Sequence, residues 1–168
     1  VAQSWKEDGR LTRAGIVTTV MSNFGLERFL KSIGLDMPRT QVGDRYVLEE
    51  MRTNGRNLGG EQSGHVVLLD HATTGDGVLT AVQIASLVSE SGKSLAELAS
   101  IVTRLPQVLV NVAGVDKAKV SDAELVAAVA QVSAELGESG RVLLRPSGTE
   151  PLIRVMVEAV SQEQAHEV

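Results

Sequence analysis

Arg145-Pro-Ser-Gly-Thr-Glu-Pro151 gathers the side chains best suited to chemistry in this sequence. Arg145 can grip two oxygens of one phosphate through parallel hydrogen bonds, a geometry that lysine lacks. Ser147 and Thr149 add hydroxyl donors. Gly148 lets the backbone approach a ligand, and the N–H groups of residues 147–149 can point at an anion. Arg154 follows in the next apolar run. Such a set suits a dianionic phosphate. The same residues also compose an ordinary Pro-Ser-Gly hairpin turn, and Arg154 also reads as a solvated strand residue.

A second cluster is Gly59-Gly-Glu-Gln-Ser-Gly-His65. Here Glu61 and Ser63 can meet vicinal sugar hydroxyls, the carboxylate accepting and the hydroxyl donating or accepting. His65 can donate to a substrate oxygen or shuttle a proton. The competing reading is a flexible glycine-rich turn with an incidental histidine. Arg45, in Gly43-Asp44-Arg45, is a further ligand candidate or half of an Asp–Arg surface pair. Asp70, His71 and Asp76 have the chemistry of metal ligands, but Asp76 between glycines is better explained as a helix start. No P-loop, Rossmann or Gly-x-Ser-x-Gly pattern is present.

The elements that must position these residues follow from periodicity. β-Branched residues 16–21 predict a buried strand. Residues 23–33 have helical spacing, with Gly34 as the stop. A short strand at 39–42, a helix at 45–53, a strand at 65–70 and a helix at 78–91 ended by Gly92 follow. Ser94 and Glu97 form a capping box that opens a helix running toward Leu105 and Pro106. Strand–helix alternation to this point implies an α/β layered domain. Beyond it, the pattern predicts a strand at 107–112, a helix opened by a second capping box at Ser121–Glu124, strands at 141–145 and 152–158, and a last helix from Ser161. That order predicts a small antiparallel sheet backed by helices. The expected division is a linker or tail at 1–12, an α/β domain at 13–106 and an α+β domain at 107–168.

Composition narrows the function. The chain has 168 residues, 43% apolar but only 2% aromatic, so Val, Leu, Ile and Ala must build the core. A net charge of −5 argues against general binding to nucleic acid or anionic membranes. There is no cysteine, which removes thiol nucleophiles and disulfides and suits a reducing, cytoplasmic setting. The apolar runs are too short to cross a bilayer. The chain starts at Val1, which leads us to expect a piece of a longer protein.

Taken together, these motifs resemble the α-D-phosphohexomutases. Gly60-Glu-Gln-Ser-Gly-His65 resembles their sugar-binding loop, and Arg145-Pro-Ser-Gly-Thr-Glu150 resembles their phosphate-binding loop. Supporting stretches are Thr19-Val-Met-Ser-Asn23, Val42-Gly-Asp-Arg-Tyr-Val-Leu-Glu-Glu-Met51, Leu69 to Gly77, Leu95-Ala-Glu-Leu-Ala99 and Leu105-Pro-Gln-Val108. The resemblance implies the third domain and most of the fourth domain of a four-domain mutase. It implies interconversion of glucosamine 6-phosphate and glucosamine 1-phosphate through a phosphoserine and a bisphosphorylated sugar, feeding UDP-N-acetylglucosamine and peptidoglycan. It implies Mg²⁺ in the whole enzyme. The family's Ser-His-Asn nucleophile loop and Asp-rich metal loop are absent from this sequence, so no catalytic or metal-binding residue is expected in it beyond the proton-shuttle role open to His65. Glu61, Ser63, His65 and Arg45 would hold the sugar. Arg145, Ser147, Gly148, Thr149 and Arg154 would hold the phosphate. Implied partners are the phosphosugar and the missing N-terminal domains, with a homodimer allowed. Mannose or glucose phosphate as substrate, and a non-catalytic phosphosugar-binding module, stand as alternatives.

Overall fold

The computed structural model describes residues 1–168, which divide into two compact units, Val1–Thr103 and Arg104–Val168.

The first unit is built on a four-stranded sheet. Its strands are β1 (Val17–Thr19), β2 (Arg39–Thr40), β3 (Leu58–Gly60) and β4 (Val66–Leu68), in the order β2-β1-β3-β4. β1 runs parallel to both β2 and β3, and β4 is antiparallel to β3. Helices α1 (Ala2–Glu7), α2 (Phe24–Ser32), α3 (Asp44–Asn54), α4 (Gly77–Ser91) and α5 (Leu95–Ala99) accompany it. Alternation along the strands sends apolar side chains to both faces. Val17 and Val67 meet Val47 and Met51 of α3 on one face, while Ile16, Leu58, Val66 and Leu68 gather around Trp5 of α1 on the other. The α/β layering expected from the sequence is present.

Three local readings of this first unit differ from the structure. Residues 1–12, expected as linker or tail, contain α1, and Trp5 is only 2% exposed. β3 was not anticipated, because glycine disfavours strands. The packing explains it: a Cβ on Gly59 would stand 2.6 Å from the Met51 sulfur and 2.9 Å from Val47 Cγ1. Glycine is what lets α3 lie on this strand. α5 stops at Ala99 rather than near Leu105. The chain then passes α2 so closely that a Cβ on Gly25 would be 2.0 Å from the Thr103 carbonyl oxygen. The capping box at Ser94 and Glu97 forms as read.

In the second unit, β5 (Gln107–Ala113), α6 (Ala123–Leu136), β6 (Gly140–Pro146), β7 (Leu152–Ala159) and α7 (Gln162–Glu167) follow in order. The sheet is antiparallel throughout, with β7 between β5 and β6. Leu136 of α6, Val157 and Ala159 of β7 and Ala165 of α7 form its core. The second capping box does not form. A 3₁₀ turn at Lys117–Ser121 takes up Ser121, and Asp122 caps α6 instead, its Oδ1 accepting from Glu124 N–H at 3.1 Å. Aspartate caps as well as serine, so a one-residue shift costs the helix little.

Candidate functional site

In the first unit the glycine-rich cluster is the hairpin loop joining β3 to β4. Gly60 pairs with Val66 at its base. Across the loop, Glu61 N–H donates to the His65 carbonyl at 2.8 Å, and Gly64 N–H donates to the Glu61 carbonyl at 3.1 Å. Gly64 has φ +95°, in the left-handed region that glycine enters without strain. Ser63 and His65 are exposed on this loop, and Glu61 is half-buried at its root. The His65 ring lies against Gly75, where a Cβ would come within 2.4 Å of Cδ2. One oxygen of the Glu61 carboxylate accepts from Gly43 N–H at 3.0 Å.

That bond joins two segments that the sequence left separate. Gly43 is the N-cap of α3, and Arg45 sits in the first turn of that helix. The Arg45 guanidinium lies 4.4 Å from the Tyr46 ring centroid and donates to its hydroxyl, so the expected Asp44–Arg45 pair is replaced by a cation–π contact. Glu61, Ser63, His65 and the α3 N-terminus therefore share one end of the sheet. The same strands also line an apolar cleft of roughly 400 Å³ with Leu26 and Phe29, whose walls are poorly matched to a polar sugar.

The three residues weighed as metal ligands have separate tasks. Asp70 accepts from Asn57 Nδ2 at 2.5 Å, His71 meets the Trp5 ring edge-on with centroids 6.3 Å apart, and Asp76 caps α4 through Leu79 N–H at 2.9 Å. No three His, Asp or Glu side chains in the chain converge as a metal site would require.

In the second unit, residues 147–151 form the loop of the β6–β7 hairpin. Pro146 pairs with Ile153, and Ser147 N–H donates to the Leu152 carbonyl at 2.9 Å. Arg145 and Arg154 stand directly opposite each other across the ladder. Like charges in that position repel. Burial, and then the nearby charge of Arg154, hold the Arg145 guanidinium below its ordinary pKa. Arg145 is half-buried and has no carboxylate partner. Arg154 is different: its Nη2 donates to Glu150 Oε2 at 2.5 Å, while its buried Nε has no partner.

The loop residues divide in the same way. Gly148 and Thr149 are exposed at the tip. Ser147 is only 2% exposed, and its Oγ accepts from Glu150 N–H at 3.2 Å. Its hydroxyl is thus built into the turn. Lys117, which the sequence reading passed over, donates from Nζ to the carbonyls of Ser147 and Glu150 at 2.8 and 3.3 Å. Nothing near Lys117 in sequence signals this contact, since its partners lie 30 and 33 residues away.

Similarity to known proteins defines the class to which the chain belongs. The phosphoglucomutase/phosphomannomutase family's alpha/beta/alpha domain III matches residues 1–105, and its C-terminal domain matches residues 109–168. The chain belongs to the phosphoglucomutase/phosphomannomutase family and carries its third and fourth domains. It is 58% identical over 169 residues to a phosphoglucosamine mutase of Arthrobacter sp. (strain FB24), covering 100% of this chain and 37% of that protein. It is 61% identical over 154 residues to a phosphoglucosamine mutase of Thermobifida fusca (strain YX), covering 91% of this chain and 34% of that protein. The chain therefore spans well under half the length of these relatives. Among solved structures, an N-acetylphosphoglucosamine mutase of Aspergillus fumigatus shares the fold with a TM-score of 0.80 at 20% identity, over 99% of this chain and 38% of that one. Another structure of the Aspergillus fumigatus N-acetylphosphoglucosamine mutase, in complex with GlcNAc-6P and magnesium, gives a TM-score of 0.76 at 19% identity over 99% of this chain and 42% of that one. No helix is long and apolar enough to cross a membrane.

Proposed function

We propose that this chain is the substrate-recognition part of a phosphoglucosamine mutase, an enzyme interconverting glucosamine 6-phosphate and glucosamine 1-phosphate. The identity of 58% to a protein of that name supports the substrate. The observation that carries the phosphate role is Arg145, a half-buried guanidinium with no carboxylate partner, facing a second arginine. A bound phosphate dianion would neutralise that repulsion and accept a bidentate grip.

In this reading the domain at 107–168 holds the phosphate that is not being transferred. Arg145 and the Gly148 and Thr149 amides contact it, Ser147 shapes the turn, and Arg154 contributes charge from behind Glu150. The domain at 13–106 holds the sugar. Glu61 and Ser63 take its hydroxyls, with Arg45 and His65 beside them and His65 able to move a proton at its exposed imidazole. A grip on phosphate rather than on one sugar face accepts either phosphate position, which a mutase requires. Binding energy at this remote phosphate positions the reacting one.

The nucleophilic phosphoserine and the bisphosphorylated intermediate belong to this reading, with the serine supplied from outside this chain. Mg²⁺, where bound, supports phosphoryl transfer. The residues present here do not fit it, so no step of this chain runs through the metal. The product would enter UDP-N-acetylglucosamine and peptidoglycan synthesis in the cytoplasm, and a homodimer is compatible with these roles.

Two measurements test the proposal. The gene product carrying this chain, assayed on glucosamine, mannose and glucose phosphates, should turn over glucosamine phosphate fastest. Slowest turnover on that sugar refutes the substrate assignment. Calorimetric titration with glucosamine 6-phosphate should show Arg145→Ala losing about 1.5–3 kcal/mol, or roughly one to two decades of affinity. An unchanged dissociation constant removes Arg145 from the site.

A further inference from the structure

We propose that Lys117 is a positioning residue, which presets the Gly148 amide toward the phosphate without touching the phosphate itself. The inference rests on the phosphate role assigned above to the 145–151 loop and concerns how that loop is made ready.

Lys117 opens the 3₁₀ turn at 117–121, and Asp116 fixes that turn by accepting from Ala118 N–H at 2.9 Å. The lysine is half-buried and has no carboxylate partner. Its charge is directed at two backbone carbonyls of the phosphate loop, those of Ser147 and Glu150. A charge-assisted contact of this kind is about twice as strong as a neutral one.

Planarity of the peptide bond gives the contact its consequence. The chain has no cis peptide. In a trans peptide the C=O and the following N–H point in opposite directions. Holding the Ser147 carbonyl on Lys117 therefore turns the Gly148 N–H to the opposite side of the loop. Gly148 is exposed, and a Cβ built on it would meet nothing within 4 Å, so nothing crowds this residue on its Cβ side. The Glu150 carbonyl is followed by Pro151, which has no N–H. The second contact thus fastens the far end of the turn and presents no further donor. Lys117 spends its charge on backbone carbonyls of the loop rather than on a ligand. Fixing a donor before the ligand arrives removes an ordering cost from binding.

The experiment is an NMR titration of the chain with glucosamine 6-phosphate, repeated with inorganic phosphate. In the wild type, the Gly148 amide proton should move downfield on binding. K117M should bind about tenfold more weakly, with a smaller Gly148 response, while the Arg145 guanidinium signal still responds. K117R should recover most of the affinity. A merely structural lysine would leave the Gly148 response unchanged in every variant that folds. Wild-type affinity in K117M overturns the proposal. So does a wild-type Gly148 amide indifferent to phosphate, a reading that needs no variant to fold. R145A separates the levels: weak binding in R145A with normal binding in K117M defeats only the role of Lys117, whereas normal binding in R145A defeats the phosphate site itself.

Discussion

Single residues here act through what their neighbours leave open. Arg145 and Arg154 are the same residue type on paired strands, yet Glu150 holds only Arg154. Their sequence positions give no hint of that division, because it depends on the hairpin register. Gly59 is the reverse case, a residue whose missing side chain matters. Gly59→Ala should destabilise the first unit by about 1–3 kcal/mol, the usual cost of forcing a methyl group into a filled core. Urea unfolding followed by fluorescence of Trp5, the chain's one tryptophan, measures this directly, and a midpoint equal to that of the wild type contradicts the packing described between β3 and α3.

Among elements, the legible ones were those with periodicity or caps of their own. α4 between Asp76 and Gly92, α2 after Asn23, and the strands of the second sheet lie close to where apolar spacing puts them. The less legible ones were set by partners. β3 exists because α3 and β1 need a thin strand beside them, and α5 is short because its continuation runs along α2. The start of α6 departs from the capping box read at Ser121–Glu124, because Asp122 caps the helix one residue later. Asp122→Ala should cost about 1 kcal/mol, whereas Ser121→Ala should cost little, since Asp122 is the residue whose side chain caps. Thermal melts of the two variants distinguish them, and the opposite ranking would restore the cap at Ser121.

For the whole molecule, charge is the property that composition sets and folding redistributes. The net charge of −5 opposes anions at long range, yet Arg145, Arg154 and Lys117 lie around one loop. A contact made at hydrogen-bond distance is shorter than the screening length of about 8 Å at physiological ionic strength. Phosphate affinity should therefore change by less than about threefold between roughly 0.05 and 0.3 M salt, unlike the decades lost by proteins that bind through a diffuse positive field. Titrations at the two salt concentrations check this, and a steep fall would move the binding from specific contacts to the general field. The sequence by itself determined the layered α/β and antiparallel architectures, the glycine-rich and arginine loops and the family they point to, because periodicity, turn chemistry and motif order are local properties. Only the tertiary structure decided that Ser147 is spent inside its turn, that Glu61 reaches Gly43, that Arg154 is already paired and that Lys117 grips the 147–151 loop from 30 residues away. Each of those depends on strand register and long-range packing, which bring together groups that no local pattern relates.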